Sequence, residues 1–154
     1  DFGSIHLIPT LCVYMALLPM IYALAYPGNE LNNLDILATF LAVAAVTIQI
    51  VSDQQMYNFR KNLSEPRTMK SGLWYYSRHP NYFGEILFWF SLFVFALAAN
   101  YSFAWLLIGS LIMYALIAIA SVAMMDKRSL ERRPDFKEYM DSTPAIFINI
   151  FKRG

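Results

Sequence analysis

Five side chains able to carry protons, charge or directed hydrogen bonds, Arg78, His79, Asn81, Tyr82 and Glu85, fall within eight consecutive positions. Pro80 sits among them and supplies a reason for the clustering. Proline suits the first turn of a helix, pushes the preceding residue toward extended backbone, and leaves free N–H groups at a helix start that favour an anion. Gly84 admits close approach of a second helix or a ligand. His79 and Tyr82 are the residues of this segment able to pass a proton. The plainer alternative is a capped helix with Glu85 placed favourably near its positive end. No Gly-x-Gly-x-x-Gly, Gly-x-x-x-x-Gly-Lys or Gly-x-Ser-x-Gly pattern occurs. A Rossmann turn, a P-loop and a hydrolase elbow around Ser77 are thereby excluded, and a nucleotide would have to be held by side chains between helices.

Two further groups frame this segment. Upstream, Gln49, Asp53 and Arg60 are spaced four and seven apart, which on a helix puts them on nearly one face. An ionisable residue close to membrane depth is costly unless paired or wet, so Asp53 is a functional candidate, with an interfacial ion pair as its alternative. Arg60, Lys61, Arg67, Lys70 and Arg78 then bring five cations to one loop, suited to a phosphate-bearing ligand or to anionic lipid headgroups. Trp74, Tyr75 and Tyr76 read either as an aromatic belt or as a stacking platform.

The elements that must position these residues are read from hydropathy. Of the 154 residues, 58% are hydrophobic and 15% charged, more apolar than soluble domains usually are. Residues 5–26, 34–52, 82–99 and 103–125 each approach the roughly 20 apolar residues that a helix needs to cross a bilayer. This predicts an all-α, polytopic membrane bundle of about four transmembrane helices. Residues 27–29 and the Asn100 to Ser102 turn break it, the latter making a tight hairpin of the last two spans. Pro9 and Pro19 are tolerable inside the first. All 12 Lys and Arg fall between the second and third spans or after the fourth, so the basic loop is expected to face the cytoplasm. An amphipathic segment over residues 126–139, broken near Pro134, and a short apolar tail at the interface should follow. No repeat or composition shift divides residues 1–154, which read as a single membrane domain. With one cysteine, Cys12, and two distant histidines, neither an internal disulfide nor a protein-built metal site is expected. Nothing in the charge pattern suggests nucleic acid.

Gly72-Leu73-Trp74, followed by Ser-Arg-His-Pro-Asn-Tyr-Phe-Gly-Glu over residues 77–85, resembles the DUF1295 branch of the steroid 5-alpha-reductase C-terminal family. The likeness continues through Asp53, Arg60 and Lys61 upstream and through Met125-Asp126-Lys127-Arg128 and Glu138-Tyr139-Met140 downstream, about residues 49–148. Sterol reductases and isoprenylcysteine carboxyl methyltransferases share weaker versions of the region. The resemblance implies an NADPH pocket between helices. It places Gln49 where steroid reductases use a polar amide, and Asp53, Arg60, Arg67 and Asn81 at cofactor contacts. Trp74, Arg78, His79, Tyr82 and Glu85 belong to the shared motifs, and Arg128, Arg132 and Tyr139 match the basic tail. By that likeness Asp53 and Asn81 hold nicotinamide or ribose and the arginines hold phosphates. The substrate-polarising Glu and Tyr of steroid reductases have no convincing match in the first span, where Tyr14, Tyr22 and Tyr26 are the donors on offer. The expected function is an NADPH-dependent reductase, or its cofactor-binding half, acting on a double bond of a lipophilic steroid, sterol or fatty enoyl compound. A non-catalytic subunit of a larger membrane complex and a methyltransferase using S-adenosylmethionine are the alternatives. A eukaryotic chain of this kind belongs in the endoplasmic reticulum; the mitochondrial inner membrane and the bacterial plasma membrane are the other settings.

Overall fold

The computed structural model describes residues 7–26, 30–61 and 67–148. It is all-helical, with no strand among the described residues. Four helical stretches are long and apolar enough to span a bilayer, as the hydropathy pattern predicts. These are α1 (Ile8–Ala25), α2 (Asn33–Lys61), α4 (Pro80–Ala99) and a composite fourth span. The last begins as a 3-10 turn (Tyr101–Leu106) and runs through α5 (Leu107–Ala115), a π-helical segment (Leu116–Ser121) and α6 (Val122–Arg132). The short α3 (Leu73–Tyr76) precedes α4, and α7 (Phe136–Ser142) follows the spans.

α4 is the hub, packing against α1, α2 and α5. Its approach to α2 is set at Gly84, where a Cβ would lie 2.8 Å from the Ala45 carbonyl oxygen. A bilayer gives helices no solvent-driven reason to associate, so small residues that let backbones touch decide which faces meet. Ala38, Phe93, Val94, Ala96 and Leu106 form the main buried cluster. The loops without Lys or Arg lie together at one end. Asn32 Nδ2 donates to the Ala98 carbonyl at 2.9 Å, and Asn100 Oδ1 accepts from Ser102 N at 2.8 Å.

Several boundaries go beyond the hydropathy reading. α2 runs past the apolar stretch for 29 residues in all, about 43 Å at 1.5 Å per residue, because residues 53–61 contain no helix breaker, and so carries Gln49, Asp53 and Arg60 on one helix as their spacing predicts. That is longer than a core about 30 Å thick requires, and Asp53 and Arg60 lie in its last third. Residues 126–132 likewise continue the fourth span instead of starting a separate helix. The break comes at Arg133, which is extended (φ −134°, ψ 109°) before Pro134, as the clash with a following proline ring demands. The start of the tail is bonded to the loop before α4. Arg78 N donates to the Pro144 carbonyl at 2.9 Å, His79 N to the Ala145 carbonyl at 3.0 Å and Ser77 Oγ to the Ile146 carbonyl at 2.9 Å. Ile146 is buried with Ile117 and Val122. The far end of the predicted tail lies outside the described residues. Pro9, expected inside a span, instead occupies the first turn of α1, whereas Pro19 is interior and buried.

Candidate functional site

The motif segment is fixed from both sides. Gly72 has φ +63°, and Gln55 Oε1 accepts from Leu73 N at 3.0 Å; a Cβ on Gly72 would sit 2.6 Å from that same oxygen. Trp74 Nε1 donates to the Ser52 carbonyl at 3.0 Å, so α3 docks on the end of α2. From the other side, the Tyr139 hydroxyl reaches the carbonyl oxygens of Trp74 and, at 3.1 Å, Ser77. Burial raises the pKa of that hydroxyl, keeping it a donor. Trp74 is thus a buried wall and no part of an exposed aromatic belt.

Between these supports lies a cavity of about 360 Å³, within the range of small-molecule sites. Asp53 and Arg60 reach it from α2, Trp74 from α3, Asn81 and Tyr82 from the first turn of α4, and Tyr139 from α7, with Arg78 and His79 entering from the loop. The His79 and Tyr82 rings stack, centroids 5.3 Å apart and planes 19° apart. One carboxylate joins the two loop residues: Asp126 Oδ2 lies 3.1 Å from Arg78 Nη2 and Asp126 Oδ1 lies 2.9 Å from His79 Nε2. Arg78 keeps Nε and Nη1 buried without a partner, and Asn81 keeps Oδ1 so, among the described residues. Buried polar atoms are nearly always satisfied, so these three call for a bound water or a ligand atom. This site offers donors at Arg78 and an acceptor at Asn81.

A second cavity of about 530 Å³ adjoins the first, sharing Met56, Arg60, Met125, Ser129 and Arg133. Arg67, Arg128 and Arg132 complete its basic wall, which holds five arginines and no carboxylate among the described residues. Arg133 stands where the cavities meet. Its Nη2 donates to Ser129 Oγ at 3.3 Å and its guanidinium lies 5.7 Å from the Phe136 ring centroid. Burial and the facing charge of Arg60 both lower its pKa. Facing guanidinium groups with no carboxylate between them are repulsive in isolation and favourable around an anion. The loop edge is held by Asp135, which accepts from the hydroxyl and amide of Thr68 at 2.8 and 3.1 Å. Burial would raise the Asp135 pKa, but those two bonds and nearby Lys70 bring it below the ordinary carboxylate value.

Most predicted site residues therefore converge, split between a polar inner cavity and an arginine-lined outer one. Gln49 and Glu85 line neither. Gln49 packs its Cγ against Gly84, and Glu85 is half-buried farther along α4. The first-span tyrosines also stand apart. Tyr22 and Tyr26 pack edge-on against Phe103, and Tyr14 is exposed. Two residues absent from the sequence-based set emerge, Asp126 and Arg133. The signal for Arg133 was its place before Pro134; that for Asp126 was an acid at the end of the apolar run, next to Lys127-Arg128.

Fold and cavity together define a multi-pass helical membrane protein with a polar, arginine-rich site where the ends of its spans meet. The chain belongs to the family described as protein of unknown function (DUF1295), which it matches over residues 1–143. An uncharacterized protein of Schizosaccharomyces pombe is 26% identical over 171 aligned positions, which cover 93% of this chain and 47% of that relative. The chain thus spans about half the length of that relative. No solved structure matches it significantly.

Proposed function

We propose that the protein is a membrane-embedded NADPH-dependent reductase, or the cofactor-binding half of one, acting on a carbon–carbon double bond of a lipophilic steroid, sterol or fatty enoyl substrate. The observation that carries this reading is the junction of the two cavities. A five-arginine outer chamber opens directly onto an inner one that offers unpartnered groups at Arg78 and Asn81. The donor set fits a dinucleotide phosphate. Arg60, Arg67, Arg128 and Arg132 would hold phosphate oxygens through charge-assisted hydrogen bonds. Asn81 and Asp53 would accept from a carboxamide or from ribose hydroxyls, with Trp74 as an apolar wall. When bound, the cofactor supplies a hydride for the reduction. His79 and Tyr82 would be the groups that handle a proton, His79 by accepting and Tyr82 by donating.

A binding titration tests the reading. NADPH should bind more tightly than NADH, and Arg60→Ala or Arg67→Ala should each weaken NADPH at least about tenfold, as loss of a hydrogen bond to a charged group costs about 1.5–3 kcal/mol. Unchanged affinity in both variants would overturn the site assignment. Displacement of NADPH by S-adenosylmethionine at comparable concentration would favour the methyltransferase alternative.

One observation supports a second reading, a non-catalytic subunit that keeps the scaffold. Arg78 already pairs with the Asp126 carboxylate, an arrangement that a purely architectural protein would also need. That reading expects no measurable affinity for either dinucleotide.

A further inference from the structure

We propose that Asp126 is the positioning residue of the inner cavity: by bridging Arg78 and His79 it fixes His79 as the Nε2–H tautomer, so that Nδ1 is a hydrogen-bond acceptor. The three side chains are only 11%, 9% and 13% exposed for Arg78, His79 and Asp126, so water does not compete freely for their hydrogen bonds. An ionised carboxylate can only accept, and a guanidinium can only donate. With one oxygen taken by Arg78 Nη2 and the other 2.9 Å from His79 Nε2, the ring nitrogen facing Asp126 must carry the proton. Nδ1 has no protein partner among the described residues. The backbone that carries the two side chains is held in place, Arg78 N and His79 N donating to the Pro144 and Ala145 carbonyls.

The tautomer decides what the cavity recognises. In the Nε2–H tautomer His79 Nδ1 joins Asn81 Oδ1 as an acceptor, while Arg78 Nε and Nη1 remain the donors. A ligand group bound among them presents an N–H or O–H toward His79 and Asn81 and an oxygen toward Arg78, as a primary carboxamide or a polarised enol does. In the Nε2–H tautomer Nδ1 carries no proton for the cavity, so the Tyr82 hydroxyl is the donor of the stacked pair. This division of roles rests on the reading of the cavity as a ligand site; the tautomer itself does not.

The isosteric change Asp126→Asn gives a test that a merely structural role would not pass. Arg78 offers donors alone, so the new amide must turn its oxygen to Arg78 and its NH₂ to His79 Nε2. Nε2 then becomes an acceptor and the proton moves to Nδ1. The chain has two histidines, so in a His6→Gln background 15N-histidine labelling reports His79 alone. In lipid bilayers at neutral pH, without cofactor, Nε2 should be the protonated nitrogen before the Asp126→Asn change and Nδ1 after it. Protonated Nδ1 in the unmodified site, or an unreversed pattern in a folded Asp126→Asn protein, would overturn the proposal. Should that variant not fold, the unmodified site decides alone. Because no nucleotide is present, failure to bind NADPH leaves the tautomer result standing, and failure of the reversal leaves the NADPH reading standing.

Discussion

The bundle has a recess at each end, and the two differ in what their walls leave undone. At the basic end the inner cavity measures about 360 Å³; at the opposite end a recess of about 410 Å³ lies between α1, the start of α2 and α4. Volume does not separate them. The distal recess is walled by Leu24, Leu31, Leu92 and Phe95, and its one acid, Asp35, already accepts from Asn32 N at 2.9 Å. The basic cavity instead keeps open hydrogen-bonding atoms on Arg78 and Asn81. A satisfied apolar recess in a membrane needs nothing more specific than an acyl chain, whereas unpaired buried donors and acceptors call for one particular partner.

That contrast can be broken most severely at Arg78. Arg78→Met leaves the largely buried Asp126 carboxylate with His79 as its one remaining partner among the described residues, and removing one member of a buried pair costs about 3–5 kcal/mol. Thermal unfolding in detergent should report that loss together with loss of NADPH binding. At the distal recess, Leu92→Ala removes a side chain that is 7% exposed and should cost about 2–4 kcal/mol. Its NADPH affinity should stay within about twofold of the parent, under 0.5 kcal/mol. A larger change would couple the two ends. Arg133→Met is expected to behave the other way. Removing a charge that faces Arg60 leaves the unliganded protein at least as stable, while NADPH affinity falls about tenfold, or about 1.4 kcal/mol. The smallest effect concerns the loop edge. The Asp135 pKa is lower folded than unfolded, so its contribution is present above the ordinary carboxylate value near 4 and fades as pH falls through the folded value. The melting-temperature gap between the parent and Asp135→Asn should therefore narrow as pH falls below the ordinary carboxylate value near 4. A gap independent of pH would show that the Thr68 contact acts only through shape.

Much of the architecture was legible because the solvent imposes it. A bilayer requires long apolar helices with internally satisfied backbones, and that requirement is written directly in the hydropathy of the four spans. The motif residues were equally visible, since Arg78, His79, Asn81 and Tyr82 have chemistries that stand out against such a background. Helix ends were less so. α2 and the fourth span both run past the apolar stretch, because hydropathy marks where lipid ends and not where a helix does.

Sequence alone determined that this is a helical membrane protein with its cations gathered at one end and a proline-initiated helix carrying reactive side chains there. Only the tertiary structure decided which of those residues share a cavity. It brought Asp126 from the fourth span to the 77–79 loop, turned the tail back to pin that loop, set Arg133 against Arg60, and left Gln49 and Glu85 outside. The reason is physical. Hydropathy and helical period are local, but a hydrogen bond between residues 47 apart, as for His79 and Asp126, depends on how the helices cross. That crossing is settled by contacts as small as the missing Cβ of Gly84.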